Sequence, residues 1–455
     1  MISAMADRFS GTSLSARAMR SSLLTIGGFG FSQGVRLASN LILTRLLFPE
    51  AFGLMALVSV IMMGLQQFSD VGTTTSILQS KRGDDRAFLD TAWTLQVLRG
   101  FGLFLTGCAL SWPLAQFYGE PQLLHILPTA SIALFIAGFR PTKVDTANRH
   151  LLIGRMTLLD MTTQVSGIGA AVLLAWLTGS VWALVLSGIF ATVLEVALTW
   201  LFLPGAPNRL RWEREALGEL VTFGKWIFLS TVCGFFFSQA DKILMGKYLS
   251  LDLLGIYNIG YFLASFPMLL GGMVTRRILI PIYRETPPRE NRRNFLRLRK
   301  MRFLVTSVLI VLVGVFAAVG DVLVNLLYDP RYQVAGGVVV IVACVQMPQI
   351  IVQTYDQAAL AAGDSRTFFV LALARAVLMV GCILVGLEMA GLFGALLGIG
   401  AAYVLAYPVV VWLARRMGAW DPLHDAVFAA AAVALATLAV LVNKSEIMDL
   451  AALGG

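Results

Sequence analysis

Apolar stretches recur along nearly the whole chain, many of them near the ~20 residues that carry a helix across a hydrocarbon layer about 30 Å thick. Lipid offers no hydrogen bonds to a bare backbone, so such stretches fold as helices or as a closed barrel. These runs are continuous and lack the period-two alternation of barrel strands, which rejects the barrel. Composition agrees: 58% of the 455 residues are hydrophobic and 13% are charged, against about a quarter charged in soluble domains. The expected fold class is an all-α polytopic membrane protein.

Residues 1–20, with Arg8, Arg17 and Arg20, read as a cytoplasmic N-terminus. The apolar core that follows is longer than that of a cleaved signal peptide. Spans one to six are expected at about 21–47, 51–68, 87–110, 122–139, 156–178 and 180–203. The polar stretch 204–219, with Arg209, Arg211, Trp212, Glu213, Arg214 and Glu215, is the junction between halves. It is expected to form a short surface helix with Trp212 at the membrane interface. Spans seven to twelve follow at about 220–249, 251–275, 303–327, 334–360, 367–387 and 392–413. In the tail, 415–455, an Ala- and Val-rich run over about 426–442 reads as a thirteenth span or a peripheral helix. Each half then holds an even span count, so 21–203 and 220–414 are expected to be parallel-repeat six-helix bundles.

Local echoes support the duplication. Arg45 and Gly53 are eight apart, as are Lys247 and Gly255, and both pairs lie 202 positions from their counterparts. Tyr328-Asp329-Pro330 resembles the Tyr118 turn 210 positions earlier, and Gly391-Leu392-Phe393-Gly394 matches Gly179-Ser180-Val181-Trp182 at 212. The growing offset fits an insertion in the long basic loop from Arg276 and Arg277 through Arg292, Arg293, Arg297, Arg299, Lys300 and Arg302.

Charge sets the orientation. With the N-terminus inside, 27 of the 35 Lys and Arg fall on cytoplasmic segments and five on the outer side, and three are mid-span. That is the positive-inside bias. It also accounts for the net charge of +9 without nucleic acid, and anionic lipid suffices as partner for the basic loops. Cys108, Cys233, Cys344 and Cys382 lie inside apolar runs and read as packing residues. His125, His150 and His424 are scattered, with no metal-ligand spacing. No phosphate loop and no nucleophile–base motif stands out, so neither an enzyme nor a cofactor is expected, and no ATP hydrolysis by this chain.

Charges inside the bilayer are costly, about 2.5–3.5 kcal/mol each on insertion scales, and usually face protein or a water-filled cavity. The candidates are Arg36, Arg99, Glu195, Asp241, Lys242, Asp356 and Arg375, joined by Asn40 and by the polar row Gln346, Gln349 and Gln353. Arg36 sits among Gly34, Ala38 and Ser39, which permit close helix approach. The basic members suit an anionic substrate. The acids Glu195, Asp241 and Asp356 are candidates for carrying a coupling ion. Each has a plainer reading: Arg36 paired with Glu195 or Asp356, Asp241 paired with Lys242, Lys242 and Arg375 snorkelling to an interface. Pro128, Pro267, Pro348 and Pro408 lie within spans and predict kinks.

These residues carry a family resemblance. Ser238-Gln239-Ala240-Asp241-Lys242-Ile243-Leu244-Met245-Gly246-Lys247-Tyr248-Leu249 is similar to the corresponding segment of the Wzx-type polysaccharide exporters. So is Leu43-Thr44-Arg45-Leu46-Leu47-Phe48-Pro49-Glu50-Ala51-Phe52-Gly53-Leu54. Phe117-Tyr118-Gly119-Glu120-Pro121 and Val181-Trp182-Ala183-Leu184-Val185 fit the subgroup that includes colanic-acid-type exporters. The resemblance runs over about residues 20–415 and places the chain with the MATE and MurJ transporters. It implies two six-helix bundles around a central cavity and alternating access. It also implies the substrate: an oligosaccharide repeat unit on undecaprenyl diphosphate, moved from the inner to the outer leaflet of the bacterial inner membrane. Further expected partners are membrane lipid, a proton or sodium gradient, and a polysaccharide polymerase and co-polymerase, with the flippase itself a monomer. The thirteenth span departs from the family's usual even number. A MATE-like exporter of cationic drugs would favour a carboxylate in span one, where this chain has Arg36 and Asn40. A lipid II flippase would share the mechanism and differ in substrate. A membrane polymerase or ligase would carry a large outer loop, and no outer loop here is long.

Overall fold

The computed structural model describes residues 14–452 apart from 71, 151, 276–278, 357 and 359–363. Arg8, Arg276, Arg277 and the end of span ten therefore lie outside the described residues, as do the side chains of Arg17 and Arg20. Among the described residues the regular structure is helical throughout. In chain order the helices are α1 (Leu14–Leu46), α2 (Pro49–Phe68), α3 (Thr73–Gln79), α4 (Arg86–Tyr118), α5 (Leu123–Gly138), α6 (Lys143–Arg149), α7 (Ile153–Thr178) and α8 (Trp182–Phe202). Then come α9 (Arg214–Tyr248), α10 (Leu251–Ala264), α11 (Phe266–Val274), α12 (Ile280–Glu285), α13 (Arg292–Leu327), α14 (Ala335–Val352), α15 (Ser365–Arg416), α16 (Pro422–Val442) and α17 (Lys444–Ala452). Among the described residues eight helices are long and apolar enough to cross a membrane, or up to ten if the bent pairs α5–α6 and α10–α11 each count as one. Large apolar side chains stand on the outside: Leu201, Leu326, Trp176 and Met389 are each at least 70% exposed. Water would penalise that surface and lipid would not. The chain is a multi-pass membrane protein.

Backbone punctuation sits at the glycines and prolines. Gly179 ends α7 at φ 58°, and Gly391, with Ala390, breaks α15 at φ 52° and ψ −132°. Both positive-φ positions favour glycine. α10 and α11 bend by 46° at Ser265, just before Pro267, while Pro128, Pro348 and Pro408 lie inside α5, α14 and α15. The junction departs from expectation: Pro207–Glu213 is not helical, and helix resumes at Arg214. Its backbone is held by side chains instead. The N–H of Arg209 donates to Asp90 Oδ1 at 3.1 Å and that of Arg211 to Thr94 Oγ1 at 2.9 Å. Gly205 at φ 137° between Pro204 and Pro207 prevents a continuous turn.

The chain divides into two compact units: residues up to Leu47 with Ile61–Phe228, and Phe48–Val60 with Leu229 onward. In the first, α4 packs on α5, α7 on α8, α1 on α7 and α5 on α8. In the second, α14 is the hub, in contact with α13, α15, α10, α16 and α17. Its Ala335–Val352 sequence is apolar on all sides, as a helix surrounded by helices requires, and nearly every residue is buried. In this same unit Gly53, near the start of α2, meets Gly255, near the start of α10. A Cβ on Gly53 would lie 2.0 Å from the Leu251 carbonyl oxygen, and one on Gly255 2.0 Å from that of Pro49. The contact is reciprocal, so the two glycines that echo each other in sequence form one close crossing. Beside it Phe52 packs edge-on against Tyr332, and Arg331 covers the Phe48 ring at 4.9 Å.

Candidate functional site

In the second unit a cavity of about 660 Å³ opens between α9, the α10–α11 bend and the C-terminal end of α14. Ser238, Gln239 and Lys242 reach it from successive positions on one face of α9. The Lys242 ammonium lies 3.3 Å from Gln239 Oε1 and 5.1 Å from the Tyr261 ring centre. It faces the cavity rather than snorkelling. Its neighbour Asp241 turns inward, where Tyr257 Oη donates to its Oδ2 at 2.5 Å. Asp241 and Lys242 therefore do not bond to each other, because adjacent helix positions diverge by about 100°.

The polar row that ends α14 and runs on into the turn after it lands at the same cavity. Gln349, Gln353 and Asp356 line it, spaced so that each follows the last by a helical turn. Gln346, one turn earlier, is buried with neither amide atom hydrogen-bonded, and Gln353 Nε2 is also without a partner. Asp356 Oδ1 accepts from Arg375 Nη2 at 2.8 Å, and its Oδ2 lies 3.4 Å from Gln349 Nε2. Arg375 is 6% exposed and stacks over Phe237 at 5.4 Å. It does not snorkel, and Asp356 is committed to it rather than to Arg36.

The first unit holds two cavities that share Glu195 as a wall. One, about 510 Å³, is lined by Gln66, Asp70, Gln96, Arg99, Arg140 and Glu195 among others. Arg99 donates to Ser69 Oγ at 2.8 Å and to the Gln66 carbonyl, and lies 3.9 Å from Asp70. The other, about 540 Å³, includes Arg36, Asp160, Gln164, Ser187 and Glu195. Arg36 is exposed on α1, and Gln164 Nε2 beside it donates to the Ser32 carbonyl at 3.0 Å. Glu195 lies 3.6 Å from Arg140. Asn40, a turn beyond Arg36, is outside the residues lining that cavity.

Sequence reasoning passed over several of these groups. Arg140, just past the end of α5, reaches Glu195. Gln66 in the last turn of α2 and Asp70 just past its end are four apart, as are Tyr257 and Tyr261 on α10, and the spacing sets each pair of polar groups on one side. Arg302, assigned to the basic loop, is inside α13 and fully buried.

Residues 42–337 match the model of a family described as polysaccharide biosynthesis protein. Among curated proteins, the teichuronic acid biosynthesis protein TuaB of Bacillus subtilis (strain 168) is 21% identical over 66% of this chain and 62% of its own length. The lipopolysaccharide biosynthesis protein WzxC of Escherichia coli (strain K12) is 21% identical over 55% and 51%. The chain thus spans only about half to three fifths of these relatives. Among solved structures, the lipid II flippase MurJ in an inward closed conformation superposes with a TM-score of 0.66 at 12% identity, covering 95% of this chain and 98% of that one. A multidrug resistance MATE family transporter of the MOP superfamily, facing inward, gives 0.61 at 18%, covering 85% and 95%. At such identities the likeness is one of fold.

Proposed function

The chain belongs to the polysaccharide biosynthesis protein family, and on that footing we propose that it is a flippase for undecaprenyl-diphosphate-linked oligosaccharide repeat units. It moves them from the inner to the outer leaflet of the bacterial inner membrane, for exopolysaccharide, capsule or O-antigen synthesis, by alternating access of two six-helix bundles. The observation that carries this reading is the second unit's cavity: an ammonium, Lys242, and a row of glutamines line it together with Asp356, which holds the buried guanidinium of Arg375 behind the wall. Diphosphate oxygens accept charge-assisted hydrogen bonds from such cations, and amides suit sugar hydroxyls. Arg36 and Arg99 offer further cations in the first unit. The lipid tail needs no pocket, since it stays in the bilayer.

The drive is a proton or sodium gradient, with Asp356, Asp241 and Glu195 as the carboxylates that take the ion. Asp356 is best placed: neutralising it releases Arg375, so ion uptake and anion binding are linked. The N-terminus is cytoplasmic, on the 27-to-five split of Lys and Arg between the two sides. A polymerase and co-polymerase receive the product.

The test is leaflet transfer of labelled undecaprenyl-diphosphate oligosaccharide by the full chain in sealed vesicles. Protein-dependent transfer is expected, reduced about tenfold or more in Lys242→Ala, the weight of one charge-assisted hydrogen bond. Arg36→Ala, at matched reconstitution, reports whether the first unit's cation contributes. Transfer of lipid II alone would change the substrate. Efflux of cationic dyes with no glycan lipid moved would replace the reading with that of a drug exporter.

A further inference from the structure

The transport reading leaves one buried group of ionisable side chains unused. It lies in the second unit where α16 begins, among α13, α15 and the turn after α14. His424 is fully buried and Asp425 nearly so. His424 Nδ1 lies 3.0 Å from Asp425 Oδ1, and Nε2 lies 3.0 Å from Thr306 Oγ1 on α13. Asp425 accepts two further hydrogen bonds, from Tyr355 Oη at 2.7 Å and from Tyr407 Oη on α15 at 2.9 Å. Three donors thus converge on the Asp425 carboxylate.

That arrangement accommodates His424 in both protonation states. With Nδ1–H donating to Asp425, Nε2 accepts from the Thr306 hydroxyl when neutral and donates to the same oxygen when charged. Only a hydroxyl rotation separates the two states. The surrounding charges nearly cancel. Asp421, which caps α16, receives Arg299 at 2.8 Å. Arg302, fully buried, donates to Tyr283 Oη and the Ala419 carbonyl and stacks on the Tyr355 ring at 4.2 Å. A proton on His424 therefore adds an unbalanced charge in a poorly screened place.

We propose that His424 and Asp425 form a proton-binding site that regulates the cavity through Tyr355. Tyr355 bonds Asp425 through its hydroxyl and carries Arg302 on its ring, and the next residue is Asp356, which holds Arg375. Charging His424 turns its Nδ1–H bond to Asp425 into an ion pair, which draws the carboxylate's charge toward its own helix and loosens the Tyr355 hydrogen bond. The turn that presents Gln353 and Asp356 to the cavity is then less tightly held. Tyr355 is a positioning residue; it does not line the cavity. The regulatory role rests on the cavity being the transport site; the proton site itself does not.

The experiment follows the full chain in lipid nanodiscs and sealed vesicles. Histidine ring nitrogen resonances are recorded from pH 5 to 8.5, with the His424 signal identified by its loss in His424→Gln. Thermal midpoints are measured over the same range for wild type, Tyr355→Phe, Asp356→Asn and the double variant. Transfer rates are measured for wild type, His424→Gln and Tyr355→Phe. His424 is expected to gain a proton within that range, and the wild-type rate to change severalfold across it. His424→Gln, whose amide keeps both partners, and Tyr355→Phe, which keeps the ring on Arg302, are expected to be flat. The pH-dependent change in thermal midpoint is expected to differ between wild type and Asp356→Asn. A ring in one protonation state throughout overturns the proposal, as does an Asp356→Asn profile parallel to wild type. Glycan transfer absent in every variant overturns the flippase reading alone, since ring titration and thermal midpoints need no transport.

Discussion

Arg375 is the residue whose environment departs most from what its position in the chain suggests. Nearly three turns into α15, it is buried against Asp356 and Phe237. Removing one partner of such a pair strands the other, at a cost of about 3–5 kcal/mol. Arg375→Ala is therefore expected to lower the unfolding free energy by that order in detergent, read by thermal or denaturant melts. Arg375→Met with Asp356→Leu is expected to regain most of it and still not transport. If the single variants melt like wild type, the pair is not the structural clamp described. Nothing in the local sequence marks this partnership, because the two residues lie nineteen apart in the chain. Their being ionisable and intramembrane was legible; which acid meets which base was not.

At the scale of helices, Gly53 and Gly255 define the tightest crossing described above. The atoms a Cβ would strike are backbone carbonyl oxygens, which cannot swing aside as a side chain can. Gly53→Ala is expected to separate the openings of α2 and α10 and to destabilise by about 1–3 kcal/mol. Gly30→Ala, with nothing within 4 Å of its Cβ, is the control that should not. Equal melts for the two variants would remove the crossing's energetic role. α4 supplies another case. Asp85 caps its start, accepting from Ala87 N at 3.0 Å while bonded to Arg82. The Arg82 guanidinium, and then the Ala87 N–H, hold its carboxyl below the ordinary value of 3.8. The folded value is the lower one, so the contribution is complete at neutral pH. It is lost as the pH falls through the ordinary carboxylate range to the folded value. Asp85→Ala is expected to cost about 1 kcal/mol at pH 7, with the difference from wild type vanishing in acid.

For the molecule as a whole, length and apolarity of the runs determined a helical membrane protein, and the turn glycines marked where helices stop. Both are local properties: a run is apolar, and a glycine tolerates φ > 0, whatever surrounds them. The repeated Gly53 and Gly255 were visible as an echo, but their contact is a tertiary fact. The same holds for the functional groups. Hydropathy flagged Lys242, Asp356 and Arg375 as ions out of place; packing brought Lys242 and Asp356 to one cavity and set Arg375 behind it on Asp356. It also set Arg140 against Glu195 and sank Arg302 and His424 into a network that the sequence presents as a basic loop and a scattered histidine. Arg302 meets Ala419 from 117 positions away, and Asp425 meets Tyr355 from 70. A charge on a helix end reads as solvated until some distant element covers it. Burial and partnership are set by contacts between segments far apart in the chain, and no window of neighbouring residues contains them.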